Sequence, residues 1–186
     1  MKRSLDLLLA LTVAAVLALP MLVVALLVKL TSRGPALYWS DRVGRHNAIF
    51  RMPKFRSMRI DTPEVATHLL AKPESYLTPI GGFLRKSSLD ELPQLWSILK
   101  GDMSFVGPRP ALFNQQDLIA LRTRHGVDAL VPGLTGWAQV NGRDDLPIPA
   151  KVALDAYYLR HRSLRLDLRI LWRTLLHVVR SEGVSH

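Results

Sequence analysis

The sequence predicts a small α+β domain, rich in helix and with one short β-hairpin, attached to an amino-terminal membrane helix. Three observations predict this fold class: a long uncharged apolar run, two strand-like runs around a turn, and several segments with helical spacing of apolar residues. The chain has 186 residues, which leaves room for about one modest domain after the membrane element. We therefore expect a membrane segment in residues 1–33 and one water-soluble domain in residues 34–186.

The amino-terminal segment is long and apolar enough to cross a membrane. Residues 7–28 carry no charge, and a helix of about 20 residues spans a hydrocarbon core of about 30 Å. A cleaved signal peptide is an alternative, but this run is longer than the apolar region of a signal peptide and continues past the small residues where cleavage would occur. A membrane helix is therefore predicted.

Two features of this segment concern its path through the membrane. Pro20 lies in the middle and cannot donate a hydrogen bond to the carbonyl of Val16, so a bend is expected there. Basic residues lie on both sides, which is the pattern expected when both ends stay in the cytoplasm. These residues are Lys2, Arg3, Lys29 and Arg33. A re-entrant helix bent at Pro20 satisfies both features, but spanning helices also tolerate proline, so the residues alone leave both topologies open.

The water-soluble part begins with a predicted hairpin. Residues 36–40 and 49–52 have the composition of short strands. Gly44 and Asn47 lie between them and favour a turn.

Further along the chain, apolar residues recur at helical spacing. A Gly- and Pro-rich loop, VPGLTGWAQVNGRDDLPIP, separates the second and third of these segments and contains a possible turn at Asn141-Gly142. Gly101 fits a cap at the end of the first segment. The predicted helices cover residues 92–99, 111–125 and 150–161.

The carboxy-terminal tail shows the clearest helical periodicity. From residue 167 on, apolar side chains fall on one helical face and basic side chains fall elsewhere. The apolar face comprises Leu168, Leu171, Trp172, Leu175, Leu176 and Val179, and the basic residues are Arg169, Arg173, His177 and Arg180. Such a helix either packs on the domain core or lies in an anionic membrane interface.

The composition narrows the classes of partner and metal. Lys and Arg total 25 against 15 Asp and Glu, a net charge of +10, which suits nucleic acid, anionic lipid or a polyanionic small substrate. We expect no nucleic-acid partner, because the tail arginines alternate with leucines and no DNA- or RNA-binding motif is present. The absence of cysteine excludes disulfides, thiolate metal sites and cysteine nucleophiles. A metal would then be a hard ion held by oxygen ligands.

Residues 87–110, SSLDELPQLWSILKGDMSFVGPRP, place two adjacent carboxylates, Asp90 and Glu91, before an apolar helical run. The tetrapeptide SLDE matches a capping box, so the pair fits the plain start of a helix. Pro93 counts against a helix that begins at Leu89, because the proline ring would crowd the Leu89 carbonyl. It fits better in the first turn of a helix that starts just before it. The carboxylates would then lie at the helix mouth, where N–H groups favour an ionised aspartate and can receive a phosphate oxygen.

Several basic residues accompany the carboxylates. Lys54 and Arg56 lie in PKFRSM, Arg85 lies in GGFLRKSS, and Arg109 lies between two prolines. Arg109 is the strongest candidate for binding phosphate, because the prolines stiffen its backbone and a guanidinium can donate two parallel hydrogen bonds. Carboxylates, a Mg²⁺ held by them and nearby cations are the groups that phosphoryl transfer requires. We therefore predict a phosphate-binding site with Mg²⁺ on the two carboxylates.

Three longer motifs occur in order after the apolar segment. They are KFRSM at 54–58, the stretch 87–110 quoted above and PGLTGWAQVNGR at 132–143. In this arrangement the chain resembles the monotopic phosphoglycosyl transferases, the bacterial sugar transferase family, over nearly its whole length. One departure lies in the hairpin turn RVGRHNAIF, where members often have a second glycine and this chain has Asn47-Ala48.

The resemblance implies an enzyme that transfers a sugar 1-phosphate from a UDP-sugar to a polyprenol phosphate, usually undecaprenyl phosphate, with Mg²⁺ and release of UMP. It implies a protein of the bacterial inner membrane, with residues 34–186 as a catalytic domain on the cytoplasmic face. Such enzymes begin the assembly of O-antigen, capsule, exopolysaccharide or glycoprotein glycans. We expect an N-acetylated amino sugar as the sugar, and both a homodimer and a monomer remain compatible with the sequence.

The resemblance also implies roles for individual residues. Asp90 attacks the β-phosphate to form a covalent phosphosugar-aspartyl intermediate, and Glu91 is its partner, holding Mg²⁺ or assisting the acceptor. The membrane segment becomes a re-entrant helix broken at Pro20, and the tail becomes an interfacial helix that keeps Asp90 at the membrane surface.

For the loop 132–143 we hypothesise contacts to the uridine nucleotide through Arg143, with Gln139 and Trp137 as further candidates. The alternative is a purely structural loop. Two alternatives also remain for the carboxylate pair. In the first, both carboxylates bind Mg²⁺ and the lipid phosphate attacks the donor directly; in the second, the chain is a membrane-anchored adaptor whose Asp-Glu pair only caps a helix.

Overall fold

The computed structural model describes residues 2–63, 70, 72–142 and 146–180, with side chains as far as residue 177. The helices are α1 (Lys2–Thr31), α2 (Gly81–Lys86), α3 (Leu95–Lys100), α4 (Gln116–Arg124), α5 (Ile148–His161) and α6 (Leu164–Arg180). The strands are β1 (Leu37–Val43), β2 (Ile49–Phe55), β3 (Ser104–Val106) and β4 (Gly133–Thr135). The predicted helix-rich α+β class with a short hairpin is confirmed.

Helix α1 is the one helix in the described ranges that is long and apolar enough to cross a membrane. It has 30 residues, a length of about 45 Å. It contains Pro20 and continues as helix to Thr31, so the fold does not show the predicted break. One face carries exposed apolar side chains: Leu8, Leu11, Val16, Leu19, Leu22, Val23, Leu26, Leu27 and Leu30. A continuous apolar surface of this kind marks a membrane or protein contact.

The opposite face of α1 is fastened to the domain near the start of the helix. Asp6 is buried and accepts hydrogen bonds from Ser104 Oγ at 2.9 Å and from the backbone N–H of Phe105 at 3.2 Å. Lys2 Nζ lies 2.9 Å from Asp167 Oδ2. A buried carboxylate needs such donors, because without them its desolvation would cost several kcal/mol. The first turns of the apolar helix are therefore a structural part of the domain.

The same face of α1 also packs on the domain near its other end. Val24 and Val28 are buried against Phe55 and Leu84. Because polar contacts hold the start of α1 and apolar contacts hold its end, both ends lie on one domain.

The predicted hairpin is confirmed, with strands that extend further than expected. Strands β1 and β2 pair antiparallel in a register that sets Leu37 opposite Phe55. In the connecting turn, His46 and Asn47 have φ of 54° and 60°. Asparagine tolerates this left-handed conformation better than most residues, so the turn forms without the second glycine.

One predicted helix is shorter than expected. The helix predicted over 111–125 begins only at Gln116. The residues before it run beside the hairpin, where Val43 N donates to Ala111 O at 2.9 Å. This non-local backbone pairing overrides the local helical periodicity. The predicted helix over 150–161 is confirmed as α5.

The carboxylate segment is built differently from the prediction. The helix predicted over 92–99 consists of a 3₁₀ segment, Leu89–Gln94, followed by α3. Ser88 has φ of 57° and makes no side-chain capping bond, so the capping box is not formed. Pro93 lies inside the 3₁₀ segment, where its missing N–H prevents an α-helical bond to the carbonyl four residues earlier. The helix ends at Gly101 with φ of 97°, as predicted.

The predicted loop after residue 131 contains strand β4, which pairs parallel with β3. The two strands approach closely because their glycines lack side chains. A Cβ on Gly133 would overlap Gly107 N, and a Cβ on Gly136 would overlap Gly107 O. The glycines of the GPRP and PGLTG motifs thus allow two backbone segments to pack directly on each other.

Helix α6 begins at Leu164, earlier than predicted, and has two different faces. Ile170 is fully buried in the domain core, whereas Leu168, Trp172 and Leu175 are more than half exposed at 54%, 61% and 54%. The interpretation that this helix packs on the core therefore holds for one side of α6, while an apolar row on another side remains uncovered.

Candidate active site

Four segments meet around the Asp90-Glu91 pair. The 3₁₀ segment carries Asp90 and Glu91, β2 carries Lys54, and the loop after β3 carries Arg109. Lys54 Nζ lies 2.8 Å and Arg109 Nη2 lies 3.1 Å from Glu91 Oε1. Arg85, at the end of α2, contributes its charge from a further side. The structure therefore brings together five of the residues predicted from sequence.

Glu91 is held in its ionised form. Burial by itself raises the pKa of Glu91, but the positive charges of Lys54 and Arg109 and their hydrogen bonds outweigh burial and bring the pKa well below its usual range. The Glu91 carboxylate is therefore a fixed negative charge that orients both cations at physiological pH.

Asp90 has the opposite electrostatic behaviour. It is 8% exposed, and this burial is the main reason why its pKa rises from 3.8 to about 6. The negative charge of Glu91 also raises the pKa of Asp90, whereas the positive charges of Lys54, Arg85 and Arg109 lower it. The expectation that helix N–H groups favour an ionised Asp90 is thus wrong, because burial dominates. At neutral pH Asp90 is still mostly ionised, and it is more basic than an exposed carboxylate.

Arg56 does not join this group. It is 5% exposed, and its guanidinium donates to Pro35 O at 2.7 Å and to Ser32 Oγ at 2.9 Å. Arg56 therefore fastens the segment after α1 to the hairpin, and the structure does not bring it to Glu91 with the other predicted phosphate-binding residues. Lys54 lies within β2, whereas Arg56 follows the last residue of that strand, where the chain leaves the hairpin.

The loop predicted to bind nucleotide abuts the segment that carries Arg109. Gly133 N donates to Pro108 O, and Gly107 N donates to Thr135 O, both at 2.9 Å. The Arg109 loop and the start of the PGLTG motif therefore form one rigid backbone unit.

Trp137 and Gln139 follow directly after this unit. Trp137 stacks on Tyr157 with ring centroids 5.7 Å apart, and the Arg173 guanidinium lies 5.4 Å from the Trp137 ring centroid. Both amide atoms of Gln139 are buried without a hydrogen-bond partner in the part of the chain that the structure describes. Arg143, the main nucleotide candidate, lies outside the described residues.

The carboxylate pair fits a Mg²⁺ that a substrate would share. Among residues 2–63, 70, 72–142 and 146–180, no group of three or more His, Cys, Asp or Glu side chains could hold a metal alone. Magnesium in phosphate-handling sites is commonly bound by one or two carboxylates together with waters and substrate phosphates. Asp90 and Glu91 supply two such carboxylates, and the nearby cations would bind the phosphates of a polyphosphate substrate.

Sequence reasoning missed two polar contacts that support the site. The first is the bond of Asp6 to β3, which nothing in the neighbouring sequence indicates. The second contact is a buried ion pair between Arg122 of α4 and Asp155 of α5, with Arg122 Nη2 2.7 Å from Asp155 Oδ2. The two residues are far apart along the chain, and each has the spacing of an ordinary helical surface charge.

Comparison with known proteins gives a consistent result. A family model described as bacterial sugar transferase matches residues 1–181. An undecaprenyl-phosphate galactose phosphotransferase of Salmonella typhimurium is 36% identical over 98% of this chain and 41% of its own length. A UDP-N-acetylgalactosamine-undecaprenyl-phosphate N-acetylgalactosaminephosphotransferase of Aeromonas hydrophila is 38% identical over 98% of this chain and 44% of its own length. The chain thus spans about two-fifths of the length of these relatives.

A third relative is similar in length to this chain. The exopolysaccharide production protein ExoY of Sinorhizobium fredii is 36% identical over 98% of this chain and 87% of its own length. The region of similarity therefore covers nearly all of this chain in both longer relatives and one of similar length.

The opposite electrostatics of the two carboxylates predict opposite effects on stability. A folded-state pKa of about 6 against 3.8 means that ionised Asp90 costs at most about 3 kcal/mol of folding free energy above pH 6. Asp90→Asn should therefore raise the free energy of unfolding at pH 8. The gain should shrink as the pH falls from about 6 to about 4, because the wild-type carboxyl group then becomes protonated.

Glu91→Gln is the matched variant. Because the folded-state pKa of Glu91 is lowered, its ionised form stabilises the fold, and the substitution should lower stability at pH 8 and lose its effect in acid. Thermal unfolding in detergent micelles at several pH values measures both effects. A destabilising Asp90→Asn at pH 8 would contradict this electrostatic account.

Proposed function

This chain belongs to the bacterial sugar transferase family, and on that premise we propose that it transfers a sugar 1-phosphate from a UDP-sugar to undecaprenyl phosphate or a similar polyprenol phosphate. The observation that carries the proposal is a buried carboxylate, Asp90, surrounded by three cations and beside a second carboxylate. The names of the relatives from Salmonella typhimurium and Aeromonas hydrophila support the lipid acceptor.

We propose that the transfer takes two steps. An Asp90 carboxylate oxygen forms a bond to the β-phosphorus of the UDP-sugar while the bond from this phosphorus to the bridging oxygen breaks. UMP leaves with that oxygen and its electron pair, and the sugar phosphate remains on Asp90 as an acyl phosphate. A phosphate oxygen of the polyprenol phosphate then attacks the same phosphorus, and the Asp90 carboxylate leaves. The second step restores the enzyme and gives polyprenol diphosphate-sugar.

The residues around Asp90 suit these steps. A pKa of about 6 leaves Asp90 ionised at neutral pH yet more basic than an exposed aspartate, which favours nucleophilic attack. Arg109, Arg85 and Lys54 would neutralise the phosphate oxygens as the nucleophile approaches. Direct attack by the lipid phosphate is the alternative; there both carboxylates only bind Mg²⁺, and the raised basicity of Asp90 is not used.

Glu91 and Asp90 together would hold Mg²⁺. Bound there, the ion would supply charge neutralisation at the diphosphate and help UMP to leave. Glu91 itself would remain an ionised anchor for Lys54 and Arg109.

We further propose that the donor is a UDP-N-acetylated amino sugar. The relative from Aeromonas hydrophila is named for N-acetylgalactosamine and that from Salmonella typhimurium for galactose, at similar identities. Overall similarity therefore does not select the sugar. The choice depends on side chains around the hexose, and a panel of donors is needed to identify it.

The contacts of α1 support a re-entrant helix. In a straight spanning helix, Lys2 and Asp6 would lie across the bilayer from the domain, and their bonds to Asp167, Ser104 and Phe105 could not form. Because both ends contact one domain, both ends would lie on one side of the membrane, and we propose that a bend at Pro20 sets how deeply the helix enters it. The bacterial inner membrane, with the domain on the cytoplasmic face, is then the proposed location.

The exposed row of α6 would complete the membrane contact. Leu168, Trp172 and Leu175 are apolar and uncovered, and Arg165 and Arg169 on the same helix are exposed basic residues. A helix with these two features binds an anionic bilayer surface. This contact would hold the domain at the depth where a lipid phosphate can reach Asp90.

The covalent step gives a direct test. Purified enzyme with Mg²⁺ and a panel of UDP-sugars, without lipid acceptor, should gain the mass of one sugar phosphate on the peptide that contains Asp90. Asp90→Asn should show neither the adduct nor transfer, yet remain in the membrane fraction. Asp117→Asn, an exposed aspartate on α4, is the control and should retain the adduct. If no donor gives an adduct but undecaprenyl phosphate triggers UMP release, direct attack replaces the covalent route.

The nucleotide contacts have their own test. Arg143→Ala should raise the KM for the UDP-sugar more than it lowers kcat, because loss of a ground-state contact to the nucleotide weakens substrate binding. Gln139 offers an unsatisfied amide and Trp137 a stacking surface for the same role. An unchanged KM in Arg143→Ala would leave the loop with a structural role only.

The re-entrant topology can be tested by labelling, because the chain contains no cysteine. Ser4→Cys places one thiol at an exposed position on the first turns of α1, and Ser75→Cys places a control thiol on the exposed surface of the domain. Both thiols should resist a membrane-impermeant maleimide in intact spheroplasts and react after lysis. If only the Ser4→Cys variant were labelled in intact spheroplasts, the helix would instead span the membrane.

A further inference from the structure

The segment that carries Arg109 is held mainly through its carbonyl groups. Pro108 and Pro110 have no N–H, so this segment has few donors with which to join secondary structure. Four consecutive carbonyls accept hydrogen bonds from three separate parts of the chain: the start of β4, α4 and the end of β1. Gly133 N donates to Pro108 O at 2.9 Å, Arg122 Nη1 to Arg109 O at 2.7 Å, Arg42 Nη1 to Pro110 O at 3.2 Å and Val43 N to Ala111 O at 2.9 Å.

The donor to the carbonyl of Arg109 itself is a charged side chain with a fixed position. Arg122 Nε and Nη2 both donate to Asp155 Oδ2, at 3.0 and 2.7 Å. The Asp155 side chain is 1% exposed and that of Arg122 is 12% exposed. A buried ion pair with these hydrogen bonds leaves the guanidinium little freedom. The ion pair between α4 and α5 therefore fixes the position of the third nitrogen, Nη1, which donates to Arg109 O.

We propose that Arg122 is a positioning residue for the proposed transfer: it fixes the Arg109 backbone so that the Arg109 guanidinium stays beside Glu91 and the substrate phosphates. The effect of Arg122 on catalysis rests on the proposed function, whereas its contact with the Arg109 backbone does not. The Arg109 side chain is 41% exposed, so packing alone does not hold it in place. Its backbone and its bond to Glu91 both contribute to its direction, and small errors in the placement of such a group cost rate.

The geometry separates a stabilising role from a positioning role within one side chain. Two nitrogens of Arg122 serve Asp155, and the third serves Arg109. Lysine can keep the ion pair with Asp155, but it lacks the planar fork needed to reach both partners. Arg122→Lys therefore removes the contact to Arg109 while the buried charge of Asp155 keeps a partner.

The first experiment compares Arg122→Lys with Arg124→Lys, an exposed position on the same helix. Loss of a hydrogen bond from a charged donor should lower kcat/KM for the UDP-sugar roughly tenfold to a hundredfold in Arg122→Lys. Arg124→Lys should behave as wild type. Wild-type kcat/KM in Arg122→Lys would overturn the proposal.

A double-mutant cycle separates positioning from a general structural effect. If Arg122 acts through Arg109, adding Arg122→Lys to Arg109→Ala should cause little further loss of single-turnover UMP release. If Arg122 only stabilises the domain, the two losses should multiply, and the proposal would be wrong.

Hydrogen exchange followed by mass spectrometry provides a readout that does not depend on turnover. In Arg122→Lys, exchange should accelerate in the peptide covering residues 104–113, while α4 and α5 keep their protection. Unchanged exchange in this peptide, or equal acceleration in both helices, would overturn the positioning role. If wild-type enzyme releases no UMP from any donor, the proposed function fails, whereas the local exchange result still decides whether Arg122 fixes the loop.

Discussion

The site depends on one carboxylate, Glu91, whose Oε1 atom accepts from Lys54 and Arg109 at once. Lys54 comes from the hairpin and Arg109 from the loop after β3, so this one atom sets the distance between two side chains that separate parts of the chain supply. Without Glu91, two cations would face each other beside Asp90, and their repulsion would favour opening of the site. The net gain of such an ion pair is modest where it is exposed, but here it decides where the phosphate-binding charges lie.

The same arrangement assigns different roles to two neighbouring carboxylates. Glu91 contacts both cations and keeps its charge, whereas Asp90 is buried and feels them from further away, so its pKa rises to about 6. A carboxylate that already binds two cations through a single oxygen is a poor nucleophile, because its electron density is committed to these bonds. Asp90 has no such direct bond to a cation among the described contacts. The difference in environment therefore favours Asp90 as the group that attacks phosphorus, with Glu91 as the anchor.

The sequence predicted the parts of the structure that depend on local rules. The hairpin, the cap at Gly101 and helix α5 follow from turn residues and periodicity, and Asp90, Glu91, Lys54 and Arg109 were recognised from motifs. The errors occur where distant contacts decide. Residues 111–115 have helical spacing, but Ala111 and Leu112 pair with the hairpin and a turn follows before α4 begins. Arg56 lies in the same motif as Lys54, but it follows the end of β2 and its guanidinium bonds to the segment after α1. Burial of Asp90, which sets its pKa, cannot be read from the residues beside it.

Asp6 shows why the apolar helix α1 and the domain cannot be treated as separate modules. This carboxylate is bound to Ser104 and Phe105 in β3, and β3 leads within three residues to Arg109. A shift of the first turn of α1 would therefore move the strand on which the Arg109 loop is built. An enzyme that joins a water-soluble donor to a lipid must hold its phosphate-binding groups at a fixed depth below the bilayer surface. A polar contact between the membrane helix and the strand beneath the active site meets this need more directly than a flexible linker, because the depth of the helix then sets the position of the site.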